Sequence, residues 1–392
     1  MGPLSGIKVL DLSRVLAGPW AGQVFADLGA EVIKVERPGA GDDTRAWGPP
    51  FVPESGMSAY FLCANRGKKS VTIDMGKPTG QALIKRLAAE SDVVLENFKF
   101  GGLSKLGLGP EHLCALNSKL VYCSITGFGQ TGPYRHRAGY DFLMQGMGGL
   151  MSVTGVPDGE PMKAGVAVVD VFTGMYAATA VLAALVERGR SGKGQHIDLA
   201  LFDVQIATMA NQISSYLVSG QQPTRLGNAH PSIVPYQVFP TADGHLILAV
   251  GNDDQFARFV KLAGAPHLSA DPRFATNPQR VQNRAVLVPL LEELLLNRTT
   301  KEWCEALEAA GVPGGPINRF SDLDNDPQVQ ERGIFRDLGD GMRAVANPMR
   351  FSRTPADDTR QPPALGTATD DVLTELGLSG DEIAALRTDR II

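Results

Sequence analysis

Cysteine is scarce in this chain, positive charge is not in surplus, and no apolar run is long enough to be a comfortable membrane span. The four cysteines (Cys63, Cys114, Cys123, Cys304) lie far apart, with no C-x-x-C and no nearby histidine pair. They read as free thiols in a reducing compartment, and a disulfide framework or zinc site is not expected. Lysine and arginine number 37 against 42 acidic residues, a net charge of −5. That balance argues against non-specific nucleic-acid binding, so an anionic ligand must be held by local cations and backbone amides. The most apolar stretch, Ala164–Val186, is interrupted by Asp170. A span needs about 20 apolar residues, so a buried helix is expected there and no membrane partner. The start, MGPLSGIKVLDL, has neither the basic opening nor the long apolar core of a signal peptide, which predicts a cytoplasmic protein. There is no G-x-S-x-G elbow, H-E-x-x-H or Walker loop, so serine hydrolysis, zinc proteolysis and P-loop phosphoryl transfer lack support.

Glycine and proline are plentiful: 44 and 26 of 392 residues, roughly 18% where about 12% is usual. The chain should turn often. Its first forty residues read as strand (Ile7–Leu12), turn, helix (Trp20–Leu28) and strand (Glu31–Val35). The pattern recurs with strands at Ser70–Asp74, Asp92–Leu95 and Lys119–Ile125 and a helix at Thr79–Ala89. This predicts a doubly wound α/β domain with ligands at the carboxyl ends of its strands. A helix over Val171–Glu187, a strand at His196–Ala200 and a helix over Phe202–Val218 follow. The texture changes near residues 225 and 325. Between them fall a strand at His245–Val250 and helices at Asp253–Leu262, Arg280–Leu296 and Thr300–Ala310, the last opened by the capping box Thr299-x-x-Glu302. Two short helices, Asp370–Leu376 and Asp381–Leu386, close the chain.

Gly127-Phe128-Gly129-Gln130-Thr131-Gly132 matches G-x-G-x-x-G after an apolar strand. However, Pro133 and Tyr134 follow instead of a helix, and no acidic strand end comes about 20 residues later, so a nicotinamide dinucleotide is not expected. The glycines still suit close approach by a ligand. Arg37 ends the second strand, where a sugar phosphate can be met, and Asn97-Phe98 follow another strand end. Asp170 is the foremost candidate for chemistry: read as the N-cap of the long helix, its carboxylate would be kept ionised, and therefore nucleophilic, by the helix dipole. A lone histidine such as His230 is more often structural.

Several segments together resemble the family III CoA-transferases of CaiB/BaiF type, the group of formyl-CoA and carnitine CoA-transferases and α-methylacyl-CoA racemases. They are GIKVLDLSRVLAGPWAGQVFADLGAEVIKVERPGAGDDTR, ANRGKKSVTIDM, VVLENFKFGGLSKLGLG, SITGFGQTGPYRHRAGYD, RSGKGQHIDLALFD and LGTATDDVLTELGL. The resemblance implies an α/β protein with a large Rossmann-like domain from residues 1–224 and 326–392, a smaller α+β domain from 225–325, and an interlocked homodimer. It passes the nucleophile's role to Asp170. Coenzyme A contacts pass to Val15, Ala17, Arg37, Ile73, Asn97, Phe98, Lys105, Ala138, Tyr140 and Asp141. CoA thioesters and small carboxylic acids would be substrates, with no further cofactor and no metal. Leu16 stands where formyl-CoA transferase has a glutamine, and that enzyme's glycine run is missing, which speaks against formyl or oxalyl transfer. Racemases of the group carry G-H-D where this chain has Gly139-Tyr140-Asp141. A tyrosine with an ordinary pKa near 10 exchanges protons poorly at neutral pH, which favours transfer over racemisation. A non-catalytic acyl-CoA-binding protein is the third alternative. The segments GNAHPSIVPYQVF and GNDDQF resemble the branch that uses succinyl-CoA and small dicarboxylates, with Arg225 or His230 as candidates for the distal carboxylate.

Overall fold

Short β-branched runs that are apolar at nearly every position bury both faces of a sheet, and the computed structural model, which describes all 392 residues, has such a sheet at its centre. Six strands, β1 (Lys8–Asp11), β2 (Glu31–Glu36), β3 (Lys69–Thr72), β4 (Val93–Glu96), β5 (Val121–Thr126) and β6 (His196–Ala200), pair in parallel in the order β3-β2-β1-β4-β5-β6. Val9 lies opposite both Val32 and Val93, which fixes the register at the centre. The strand order reverses between β1 and β4, and the loops leaving those two strands open a crevice there.

Successive residues of β1 serve opposite faces. Val9 joins a core with Val32, Val93 and Phe25, while Leu10 joins another with Ile33, Val94 and Tyr122. The first face is covered by α1 (Ala17–Asp27) and by a 24-residue helix at Val168–Ser191. The second is covered by helices at Pro78–Ala89, Thr369–Glu375 and Gly380–Thr388. In chain order the helices after α1 are α2 (Ala59–Asn65), α3 (Pro78–Ala89), α4 (Pro110–Leu116), α5 (Asp141–Met147), α6 (Leu150–Val153) and the long helix, α7 (Val168–Ser191).

By length and composition α7 could cross a membrane. Its buried residues, Val169, Thr173, Gly174, Ala177, Ala178, Val181 and Ala184, form a single face, so the helix expected to be buried is buried along one side only. Small residues on that face allow close contact with α1: a Cβ on Gly174 would stand 2.7 Å from the Ala17 carbonyl oxygen. The helix expected over Phe202–Val218 is two, α8 (Leu201–Thr208) and α9 (Ala210–Ser219), because Ala210 takes a left-handed φ of 43°. Arg280–Leu296 is likewise divided, at Asn283.

The chain forms two compact units. Met1–Leu150, Lys163–Ser219 and Gln328–Ile392 make the larger; Met151–Met162 and Gly220–Pro327 make the smaller. The short piece Met151–Met162 carries no compositional mark of belonging with the middle of the chain. The smaller unit has a three-stranded antiparallel sheet, β7 (Tyr236–Pro240), β8 (His245–Ala249) and β9 (Gly314–Pro316), packed with helices Asp253–Leu262, Arg284–Leu295 and Thr300–Ala309 around Phe239, Phe259, Leu291 and Trp303. The Thr299–Glu302 capping box is formed in both directions. Fully buried Arg280 is held by the Val234 and Phe274 carbonyls and by Asp253 at 2.7 Å.

Candidate active site

The loop after β1 is shaped by side chains from elsewhere in the larger unit. Lys34 donates to the Ser13 carbonyl at 2.8 Å, and Asn97, just past β4, receives the Arg14 N–H at 2.8 Å and donates to the Arg14 carbonyl at 2.6 Å. The chain then enters α1 with no side-chain cap on its first turn. Val15, Leu16 and Ala17 thereby form one wall of a cleft with a volume of about 150 Å³, and Asn97, Phe98, Gly127, Ala138, Tyr140 and Asp170 line it too. Gly127 and Gly139 meet backbone to backbone; a Cβ on Gly139 would lie 2.7 Å from the Gly127 Cα. The G-x-G-x-x-G segment is used for this close approach, after β5 and before α5.

Asp170 is the third residue of α7, not its cap. The helix begins at Val168, and the cap comes from Asp141, whose Oδ1 receives the Val169 N–H at 2.8 Å and the Asp170 N–H at 3.4 Å. Its Oδ2 receives the Gln145 amide at 2.7 Å, and Gln145 Oε1 receives the Ala164 N–H at 2.8 Å. The Val168 and Val171 N–H groups bond to the carbonyls of Val166 and Ala167. No first-turn amide of α7 is therefore left to keep the Asp170 carboxylate ionised, and the expected dipole-stabilised anion is corrected. Burial, and then the neighbouring Asp141 carboxylate, push the Asp170 carboxyl up to about 7. Such a carboxylate is more basic than an ordinary one and still substantially ionised at neutral pH, which suits a nucleophile.

Val15, Ala17, Asn97, Phe98, Ala138 and Tyr140 all come together with Asp170. Arg37 and Ile73 lie in an adjoining cavity of about 210 Å³ beside β2 and β3, which shares Arg14 and Phe98 with the first. Lys105 lines neither; it is exposed on the short turn Ser104–Leu106. Asp141 does not line the cleft, and both of its oxygens are engaged. In the smaller unit, Arg225 donates to the carbonyls of Val156, Pro157 and Gly159, and His230 Nδ1 receives the Ser232 N–H at 3.0 Å, so both have structural duties.

Sequence reading missed four cations at this cleft: Arg14, Lys99, Arg135 and Arg137. Aromatic rings hold three of them, with Arg14 5.1 Å from the Phe98 centroid, Arg135 5.1 Å from Phe100 and Arg137 4.6 Å from Tyr134. Basic residues interleaved with aromatics in RHR and NFKF were the available signal. It also missed Tyr60 on α2, whose hydroxyl is pushed up to about 12 by burial and by the charges of Asp170, Cys63 and Asp141. Its ring stands edge-on to Trp47 at 5.0 Å.

The profile of CoA-transferase family III matches residues 4–369. The chain belongs to CoA-transferase family III. A succinate–glutarate CoA-transferase of Agrobacterium fabrum is 54% identical, with 95% of this chain and 96% of that protein covered. A succinyl-CoA:glutarate CoA-transferase of Mus musculus is 45% identical over 96% of this chain and 87% of its own. The crystal structure of a CaiB/BaiF family protein from Brucella suis, 51% identical, superposes with a TM-score of 0.87 over 96% of this chain and 99% of that one. Membership makes the chain a CoA-transferase enzyme with CoA thioesters as substrates, and the cations and glycines at the cleft are the kinds of group that such a phosphate-bearing ligand requires.

Proposed function

We propose that this enzyme moves coenzyme A from succinyl-CoA to a small dicarboxylic acid such as glutarate, with Asp170 as nucleophile. The observation that carries this reading is a carboxyl of raised basicity in a cleft rimmed by arginines and lysine; the donor and acceptor rest on the relatives' activities. The Asp170 carboxylate attacks the thioester carbonyl and CoA thiolate leaves, giving a mixed succinyl–aspartyl anhydride. The thiolate attacks the aspartyl carbonyl, releasing succinate and leaving an aspartyl–CoA thioester. The acceptor carboxylate attacks that thioester, CoA thiolate leaves again, and its attack on the acceptor's acyl carbon yields the new thioester and free Asp170. No water or proton is consumed overall. Each tetrahedral oxyanion needs donors. With the first-turn amides of α7 occupied, the uncapped first turn of α1 at Leu16 and Ala17 is the better source.

The exposed apolar side chains Phe172, Met175 and Tyr176 on α7 and Tyr216, Leu217 and Val218 on α9 support a homodimer, for which an interlocked form is proposed. Four unpaired thiols support a cytoplasmic setting. Transfer is tested by incubating the enzyme with succinyl-CoA and a panel of dicarboxylic acids and reading new thioesters by mass. New glutaryl-CoA is expected. Absence of any new thioester, with deuterium exchange at the α-carbon of a 2-methylacyl-CoA, would establish racemisation instead.

A further inference from the structure

Val15 adopts φ 71°, in the left-handed region that a β-branched side chain avoids, and it does so in the wall of the Asp170 cleft. Its N–H is directed at the carboxylate of Asp42, 3.3 Å from each oxygen. Asp42 is buried and fixed by Lys34 at 2.8 Å, with neither side chain of that pair exposed, and it receives the Thr44 N–H at 3.0 Å and the Thr44 hydroxyl at 2.8 Å. Lys34 in turn holds the Ser13 carbonyl. Two buried charges are costly to place in a protein interior unless their geometry is well satisfied; beyond the Thr44 bonds, this pair spends its bonds on the loop after β1, at Ser13 and Val15. The Asn97 bonds hold only Arg14, so Asp42 alone engages the strained residue.

We propose that Asp42 is a positioning residue: clamped by Lys34, it holds Val15 left-handed and so sets the Val15–Ala17 backbone against Asp170. The inference rests on the transferase reading of that site. A glycine at residue 15 takes this conformation without side-chain strain, so the clamp matters less there. Asp42→Asn lowers kcat/KM for succinyl-CoA by about tenfold or more in the native background and by no more than about threefold in a Val15→Gly background. Equal factors in the two backgrounds, or no loss in the first, overturn the proposal, because a merely structural role lowers stability alike in both. Should Asp42→Asn fail to fold, Val15→Pro serves: it lacks the N–H and cannot enter the left-handed region. Loss of kcat/KM by about tenfold or more with native circular dichroism is then expected, and retained activity overturns the proposal. If the wild type turns over no donor–acceptor pair, the transferase reading fails by itself. Hydrogen exchange at the Val15 amide then decides the clamp: faster exchange in Asp42→Asn upholds it and an unchanged rate refutes it.

Discussion

Asp170 and Asp141 are two carboxyl groups with different duties, set by their surroundings. Asp141 spends both oxygens on hydrogen bonds, whereas Asp170 faces a cleft and is pushed up to about 7 by burial and by its neighbour. Activity should therefore rise with pH through about 7 as the nucleophile ionises. Asp141→Asn removes the neighbouring charge and should move this acidic limb of the kcat/KM profile down by about one pH unit, which a profile from pH 5 to 9 will show. A carboxyl raised from its ordinary 3.8 favours folding when protonated, and that contribution is lost as pH rises through about 7. Asp170→Asn should accordingly abolish transfer, by at least about a thousandfold, and raise Tm by a few degrees at pH 8 but hardly at pH 4. Thermal melts at the two pH values check the sign. The nucleophile's position was legible in the sequence as an acidic residue inside an apolar stretch. Its ionisation was not, because burial comes from the tertiary fold and the neighbouring carboxylate that adds to the shift and caps the helix lies 29 residues earlier in the chain.

At the scale of elements, the six strands and the helices covering them were legible because the strands are short, mostly apolar β-branched runs and the helices keep helical spacing. What escaped was short or irregular. α2 is only seven residues long, yet it carries Tyr60, and the break at Ala210 depends on a backbone conformation that no glycine or proline announces. The α1–α7 contact joins fold to site, since α1 begins in the cleft wall and Asp170 lies in the first turn of α7. Gly174→Ala would place a methyl 2.7 Å from the Ala17 oxygen and 3.0 Å from Trp20. It should cost about 1–3 kcal/mol in denaturant unfolding and reduce kcat/KM, by displacing the start of α1. A stability equal to wild type would show that the two helices separate freely.

Over the whole molecule a net charge of −5 hides a local reversal: Arg14, Lys99, Arg135 and Arg137 line one cleft. Because these cations are exposed, salt should screen them, and KM for the acyl-CoA donor should rise by about threefold or more between 0.02 and 0.3 M salt, with a smaller effect on kcat. Composition could exclude a broad basic surface, but the gathering of four cations from three loops depends on the sheet order. Transfer through Asp170 is covalent, so trapping the aspartyl thioester reports on it. The enzyme is incubated with succinyl-CoA, quenched with hydroxylamine, digested, and every carboxyl-bearing peptide is read by mass. A hydroxamate at Asp170, formed only when succinyl-CoA is present and accompanied by loss of activity, is the predicted result. Full turnover with Asp170 unmodified, or a hydroxamate on another carboxyl, would contradict it.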